Sequence, residues 1–116
     1  MSDKPLLWLG SSRNDVRAFP GDARRVAGYQ LRRVQQGLDP SDWKPMTSVG
    51  AGVREIRIRT GPEHRVVYIA RFSEGVYVLH AFEKRTAKTP KQDLALARKR
   101  LGVLMETRRH EQVTRS

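Results

Sequence analysis

The sequence predicts an α+β fold: a small, twisted, mostly antiparallel sheet of about four strands, with two helices before it and one after it. Three observations carry that prediction. Between Ala23 and Leu38 apolar residues recur every three or four positions, the period of a helix with one buried face. From Val53 to Phe82 the pattern changes to strand periodicity, interrupted by turn residues at Gly61-Pro62 and Ser73-Glu74-Gly75. After Thr89-Pro90 a second helical stripe begins.

Leu6-Leu7-Trp8-Leu9, closed by Gly10, is too short for a buried helix and reads as a strand buried on both faces. Ser12 and Asp15 form a capping-box-like pair that opens a first helix. Pro20 breaks it, and Asp22 suits the first turn of a second helix, where a carboxylate meets the positive end of the dipole. The stripe of that helix is Ala23, Ala27, Leu31, Val34 and Leu38, with Gly37 as its C-terminal stop. Arg24, Arg25, Arg32 and Arg33 fall largely off the stripe and read as a solvated face or as a dock for an acidic partner. From Asp39 to Gly52 no period is sustained, so this segment reads as a loop in which Trp43 covers the core edge or stacks on a base.

In Val53 to Arg59, Ile56 and Ile58 point to one face of a strand while Glu55, Arg57 and Arg59 point to the other. Arg65 to Phe72 is apolar on both faces and reads as a central strand, and Val76 to Phe82 returns from a hairpin. Thr89 is placed to cap the last helix, with Pro90 at its first position and Gln92 three residues after the cap. Leu94, Ala97, Leu101 and Leu104 form its stripe, and the tail from about residue 109 to Ser116 is expected to fray.

A chain of 116 residues suits one domain, 1–116. Its net charge of +11 costs self-repulsion unless a polyanion or acidic partner offsets it, so nucleic acid leads the partner classes. The cations are spread over several segments, which argues against a membrane-surface helix. The absence of Cys excludes disulfides, thiolate zinc sites and cysteine nucleophiles. His64, His80 and His110 stand apart with no clustered carboxylates, so neither a metal nor another cofactor is expected. The N-terminal apolar run is far short of a signal or spanning segment, and a cytoplasmic location is expected.

Val53-Arg54-Glu55-Ile56-Arg57, Glu63-His64-Arg65-Val66-Val67-Tyr68 and Leu79-His80-Ala81-Phe82-Glu83-Lys84-Arg85, followed by Thr89-Pro90, resemble the phage-derived HigB-like branch of the RelE/ParE toxin superfamily. The resemblance spans roughly Leu7 to Leu104, and its most specific part is the His-Ala-Phe-x-Lys block. It implies a RelE-like fold and the toxin of a type II toxin–antitoxin system. Such a toxin is a ribosome-dependent endoribonuclease that cuts messenger RNA without metal, by attack of the RNA's own 2′-hydroxyl. The implied partners are a HigA-like antitoxin with a helix-turn-helix domain, the ribosome and mRNA, with operator DNA reached only through the antitoxin.

The catalytic candidates are Arg65, Lys84, Glu55 and His80. Arg65 matches the strand-start arginine that contacts the scissile phosphate in related toxins, and its fork suits a bidentate clamp, unless it merely pairs with Glu55 or Glu63. Lys84, at the end of the last strand, offers an ammonium to the phosphorane or the leaving oxygen. Glu55 offers a base beside Arg57, with a same-face salt bridge between the two as the alternative. His80 offers a candidate acid or base, yet by alternation it shares a face with Val78 and Phe82 and fits a core histidine better. Arg57, Arg59, Arg85, Lys88 and Lys91 complete the phosphate-binding set. Where classical members carry a tyrosine or histidine after the last strand, this chain has Glu83, Lys84 and Arg85. Two other readings use the same surface: a ParE-like DNA gyrase inhibitor and a non-catalytic RNA- or ribosome-binding module.

Overall fold

The computed structural model describes residues 3–115. The elements in chain order are β1 (Leu6–Trp8), α1 (Ser12–Arg17), α2 (Gly21–Gln35), β2 (Trp43–Pro45), β3 (Val53–Arg59), β4 (Glu63–Ile69), β5 (Val76–Lys84) and α3 (Lys91–Arg115). The five strands form one sheet in the order β1-β5-β4-β3-β2, antiparallel except where β1 runs parallel to β5. This is the RelE-like α+β arrangement that the element pattern predicts.

The alternation of β3 decides which side chains meet which helix. Ile56 and Ile58, with Val66, Tyr68, Val76 and Val78, pack against Ala23, Ala27, Leu31 and Val34 of α2. Val53, Val67, Ile69 and Leu79 face the other way, onto Ala97 and Leu104 of α3. Helix α3 covers only part of its face. At the strand ends carrying Arg59, Glu63 and Lys84 the sheet stays partly open.

Several local expectations change. The segment from Asp39 to Gly52 is not wholly a loop, because Trp43, Lys44 and Pro45 pair with Ile56, Glu55 and Arg54 as the edge strand β2. Strand β1 lies at the opposite edge and is only half-buried, since it has β5 on one side alone. The capping box does not form: Ser12 is buried and its Oγ donates to the Val78 carbonyl at 3.1 Å, tying α1 to β5, while exposed Ser11 bonds Asp15. Leu38 leaves the α2 stripe because the helix ends at Gln35. Gly37, at φ 84°, turns the chain so that the amides of Gly37 and Leu38 cap the carbonyls of Val34 and Arg33, and Leu38 is left 50% exposed.

Thr89 does not cap α3; its hydroxyl points to Glu55 Oε2, 3.4 Å away. Helix α3 also continues through Arg115, past the expected fraying point near residue 109, with Ser116 outside the described residues. Between Val67 and Tyr68 the β4–β5 register shifts, so that Val67 pairs with His80 and Tyr68 with Val78. The extra residue, Leu79, is a bulge that resets the alternation of β5. Val78 therefore faces α2 while Leu79, His80 and Phe82 face α3, which corrects the expectation that His80 shares a side with Val78. Among the described residues no helix is long and apolar enough to cross a membrane.

Candidate functional site

Register brings the candidate residues together in rows across the α3-facing side of the sheet. Lys44, Glu55, Val67 and His80 lie opposite one another on β2, β3, β4 and β5. Arg57, Arg65 and Phe82 form the next row, and Arg59, Glu63 and Lys84 the last, at the open end. Successive rows are about 7 Å apart, two residues along a strand. Lys44, Arg57, Arg59, Arg65 and Lys84 thus share one surface from four strands.

Arg65 and Glu55 lie at the bottom of this cluster, 3% and 0% exposed. Arg65 Nη1 is ion-paired with Glu55 Oε1, and its Nη2 donates to Glu63 Oε1 at 2.9 Å. Glu55 also has Lys44 Nζ at 3.8 Å and the Thr89 hydroxyl. A buried guanidinium needs this compensation, because stripping water from an unpaired charge costs several kcal/mol (on the order of 3–5). Arg65 is therefore held from beneath and is not presented to solvent.

Above it the cations are more open. Arg57 Nε lies 3.1 Å from Asp42 without hydrogen-bond alignment, and its Nη2 donates to the Trp43 carbonyl at 3.3 Å. Arg57 thus pairs with Asp42 in place of Glu55. Arg59, 60% exposed, sits between Asp42 and Glu63 at 3.4 and 3.3 Å. Lys84 is partly buried, and among the described residues it alone in this cluster forms no ion pair. Partial burial lowers the Lys84 pKa below its ordinary value, as do the charges of Arg65 and Lys44, which outweigh the opposing pull of Glu63 and Glu55. For Glu63, burial pushes upward, but the hydrogen bond from Arg65 and the charges of Arg65, Lys84 and Arg59 hold it below the usual carboxylate range.

The remaining candidates lie elsewhere. His80 is buried; its Nε2 is 2.7 Å from Asp93 Oδ1 and its Nδ1 is 3.3 Å from Arg100 Nη1. Since a guanidinium only donates, Nδ1 accepts and Nε2 carries the proton toward Asp93. Arg100 also bonds the Leu79 carbonyl and Ser11 Oγ, at 2.9 and 3.0 Å, so His80 belongs to a latch between β5, α1 and α3. Arg85, 81% exposed, folds back onto Glu83. Lys88 and Lys91 are exposed along the segment entering α3. Trp43 is half-buried beneath Arg54, whose guanidinium carbon lies 4.0 Å from the ring centroid. Among the described residues no three His, Asp or Glu side chains converge to hold a metal ion.

Sequence reasoning missed Lys44, Asp93 and Arg100, and read Thr89 as a helix cap and not as a neighbour of Glu55. Lys44 sits in a three-residue strand ending in proline, too short to show a period. Asp93 and Arg100 are seven residues apart on α3, two turns on one face, and that spacing was the available signal for a shared partner. A family model described as phage-derived protein Gp49-like (DUF891) matches residues 14–102, from α1 through the first half of α3. No curated protein matches the chain.

Proposed function

The chain belongs to the phage-derived Gp49-like family, and from that membership we propose that it is the toxin of a type II toxin–antitoxin pair, a ribosome-dependent endoribonuclease that cleaves mRNA. The observation that carries this reading is Lys84: an amine without an ion-pair partner among the described residues, poised at the open strand end among four other cations, with its proton made easier to release. In attack of a 2′-hydroxyl on the adjacent phosphorus, negative charge builds on the phosphorane and the departing 5′-oxygen needs a proton. Lys84 supplies both the charge and the proton, while the proton of the attacking 2′-hydroxyl passes to solvent water. Arg57, Arg59 and Lys44 grip neighbouring phosphates from β3 and β2, while Arg85, Lys88 and Lys91 extend the cationic surface toward the ribosome.

Arg65 acts from below in this reading. Paired with Glu55 and Glu63, it sets the local potential and keeps Glu63 from neutralising Lys84. Glu55 anchors Arg65, and His80 anchors α3. An antitoxin with a helix-turn-helix domain would silence the toxin by covering the cationic face.

The test is brief induction of wild type and of Lys84→Met, followed by mapping of 5′ ends in total RNA. Discrete new ends within reading frames, upstream fragments ending in 2′,3′-cyclic phosphate, and their loss in the variant are expected. Intact transcripts with induced DNA damage would favour gyrase inhibition. Ribosome binding without new ends would favour a non-catalytic binding module.

A further inference from the structure

On the α2-facing side of the sheet, away from Lys84, a cavity of about 340 Å³ opens between the end of α2 and strands β3 and β4. Its apolar wall includes Val34 and Leu38, and its charged groups are Lys4, Arg54, Arg71 and a single acid, Asp39. Tyr68 also lines it. That residue is 1% exposed, and its hydroxyl has no hydrogen-bond partner among the described residues. Buried hydroxyls are seldom left so, because the lost hydrogen bond to water is not repaid.

The neighbours of that hydroxyl are the polar groups of the cavity. Arg54 stands directly opposite Tyr68 on β3 and gives its Nη1 to Asp39 Oδ1 at 2.8 Å. The Asp39 side chain is 67% exposed, so this pair sits at the rim, where water screens it and an incoming carboxylate can compete for the guanidinium. Lys4 Nζ donates to the carbonyls of Ala70 and Phe72 at 2.8 and 3.0 Å, which leaves one of its three protons for a third acceptor. Burial raises the Tyr68 phenol above its ordinary value and outweighs the opposing pull of the adjacent Arg54 guanidinium, which lies close to the hydroxyl without an aligned hydrogen bond, so the hydroxyl stays a donor.

We infer that this cavity receives a carboxylate side chain from an acidic polypeptide. The carboxylate takes Arg54 from Asp39 and, as the guanidinium shifts, reaches the Tyr68 hydroxyl and the Lys4 ammonium. The donors are few and one wall is alkyl, which suits a monoanion on a short apolar stem better than a heavily hydrated phosphate dianion. Leu38, 50% exposed at the rim, offers contact to an apolar residue flanking that side chain, as a polypeptide would supply. The net charge of +11 draws such a partner in. The site lies on the opposite face from Lys84 and does not depend on the nuclease reading.

The test is titration of the purified full chain with a capped peptide alternating leucine and glutamate, followed through the arginine Nε–H signals and backbone amides by NMR. Controls are the glutamine version of the peptide and free isovalerate. A saturable shift at Arg54 Nε and at the amides of Leu38 and Asp39 is expected, weakened about tenfold by the glutamine peptide or by Arg54→Gln, and about threefold by Tyr68→Phe. Tyr68→Phe should melt no lower than wild type, since it deletes an unpaired group, and Asp39→Asn should bind more tightly, since it removes the competing carboxylate. Equal binding of the neutral peptide, binding of isovalerate alone, unchanged affinity in Tyr68→Phe or Asp39→Asn, or no saturable shift would each overturn the inference.

Discussion

Glu63 lies directly across from Lys84 in the β4–β5 register, yet it gives its carboxylate to Arg65. Packing explains the choice. Arg65 is the more buried cation and has the greater need of a counter-charge, so it takes Glu63 as well as Glu55. Lys84 feels both carboxylates at a distance but keeps its amine unpaired.

Lys84→Met should lower mRNA cleavage by about 10²-fold or more, the scale of a lost proton donor, while changing stability by less than about 0.5 kcal/mol. The sign of the pH effect follows from its lowered pKa: folding disfavours the charged amine, so this penalty is present at neutral pH and is relieved as pH rises through the folded-state value. Wild type should therefore gain stability on Lys84→Met toward alkaline pH. Urea melts from neutral to alkaline pH check this, and a constant difference would contradict it.

Glu55→Leu should cost about 3–5 kcal/mol, because it leaves the Arg65 guanidinium buried with only Glu63. Replacing Arg65 by Leu in the same chain should recover much of that loss, since the pair as a unit contributes little net stability. Denaturant midpoints of the two single variants and the double variant measure the coupling. Additive losses would mean that the pair is not energetically linked.

Acid should weaken the fold partly through Glu63. Its contribution is fully present above the unfolded carboxyl value of about 4.3 and is lost as pH falls through the lower folded value. Glu63→Gln should flatten the stability profile across that window, read from thermal midpoints at stepwise lower pH. An unchanged slope would show that Arg65 does not hold this carboxylate charged.

His80→Ala should destabilise by about 1–3 kcal/mol by leaving Asp93 and Arg100 without their shared partner. Hydrogen exchange should accelerate in the first turns of α3, while cleavage per folded molecule stays within about threefold of wild type. A collapse of cleavage in fully folded protein would return His80 to the chemistry.

Gly10→Ala should cost about 1–2 kcal/mol for two reasons. The residue sits at φ 53°, and an added Cβ would clash with the Arg100 guanidinium. The guanidinium can swing aside, but it then forfeits its bonds to Leu79 and Ser11. Adding Arg100→Ala should remove the steric part of the penalty, and thermal melts of the pair separate the two terms.

The α2 stripe from Ala23 to Val34, the alternation of β3 and the turns at Gly61-Pro62 and Ser73-Glu74-Gly75 were all legible in the sequence, because local periodicity reports which face of an element must be buried. So was the gathering of Glu55, Arg57 and Arg59 on one face of β3, which needs only alternation, whereas Arg65 joins them through the β3–β4 register that sets it opposite Arg57. Strand β2 was not legible, since three residues with a proline carry no period, and Lys44 was missed with it. The side of β5 taken by His80 was not legible either, because one bulged residue at Leu79 inverts the alternation and leaves no mark in the residue types.

By itself the sequence determined the α+β architecture, the cationic surplus and the placing of the charged residues of β3, β4 and β5 on strands, all of which follow from local pattern and composition. Only the tertiary structure decided which cation is buried and which is open. Burial depends on where α3 stops covering the sheet, and pairing depends on which carboxylate a desolvated guanidinium can reach. That long-range competition placed Arg65 beneath the surface with Glu55 and Glu63, and left Lys84 at its edge.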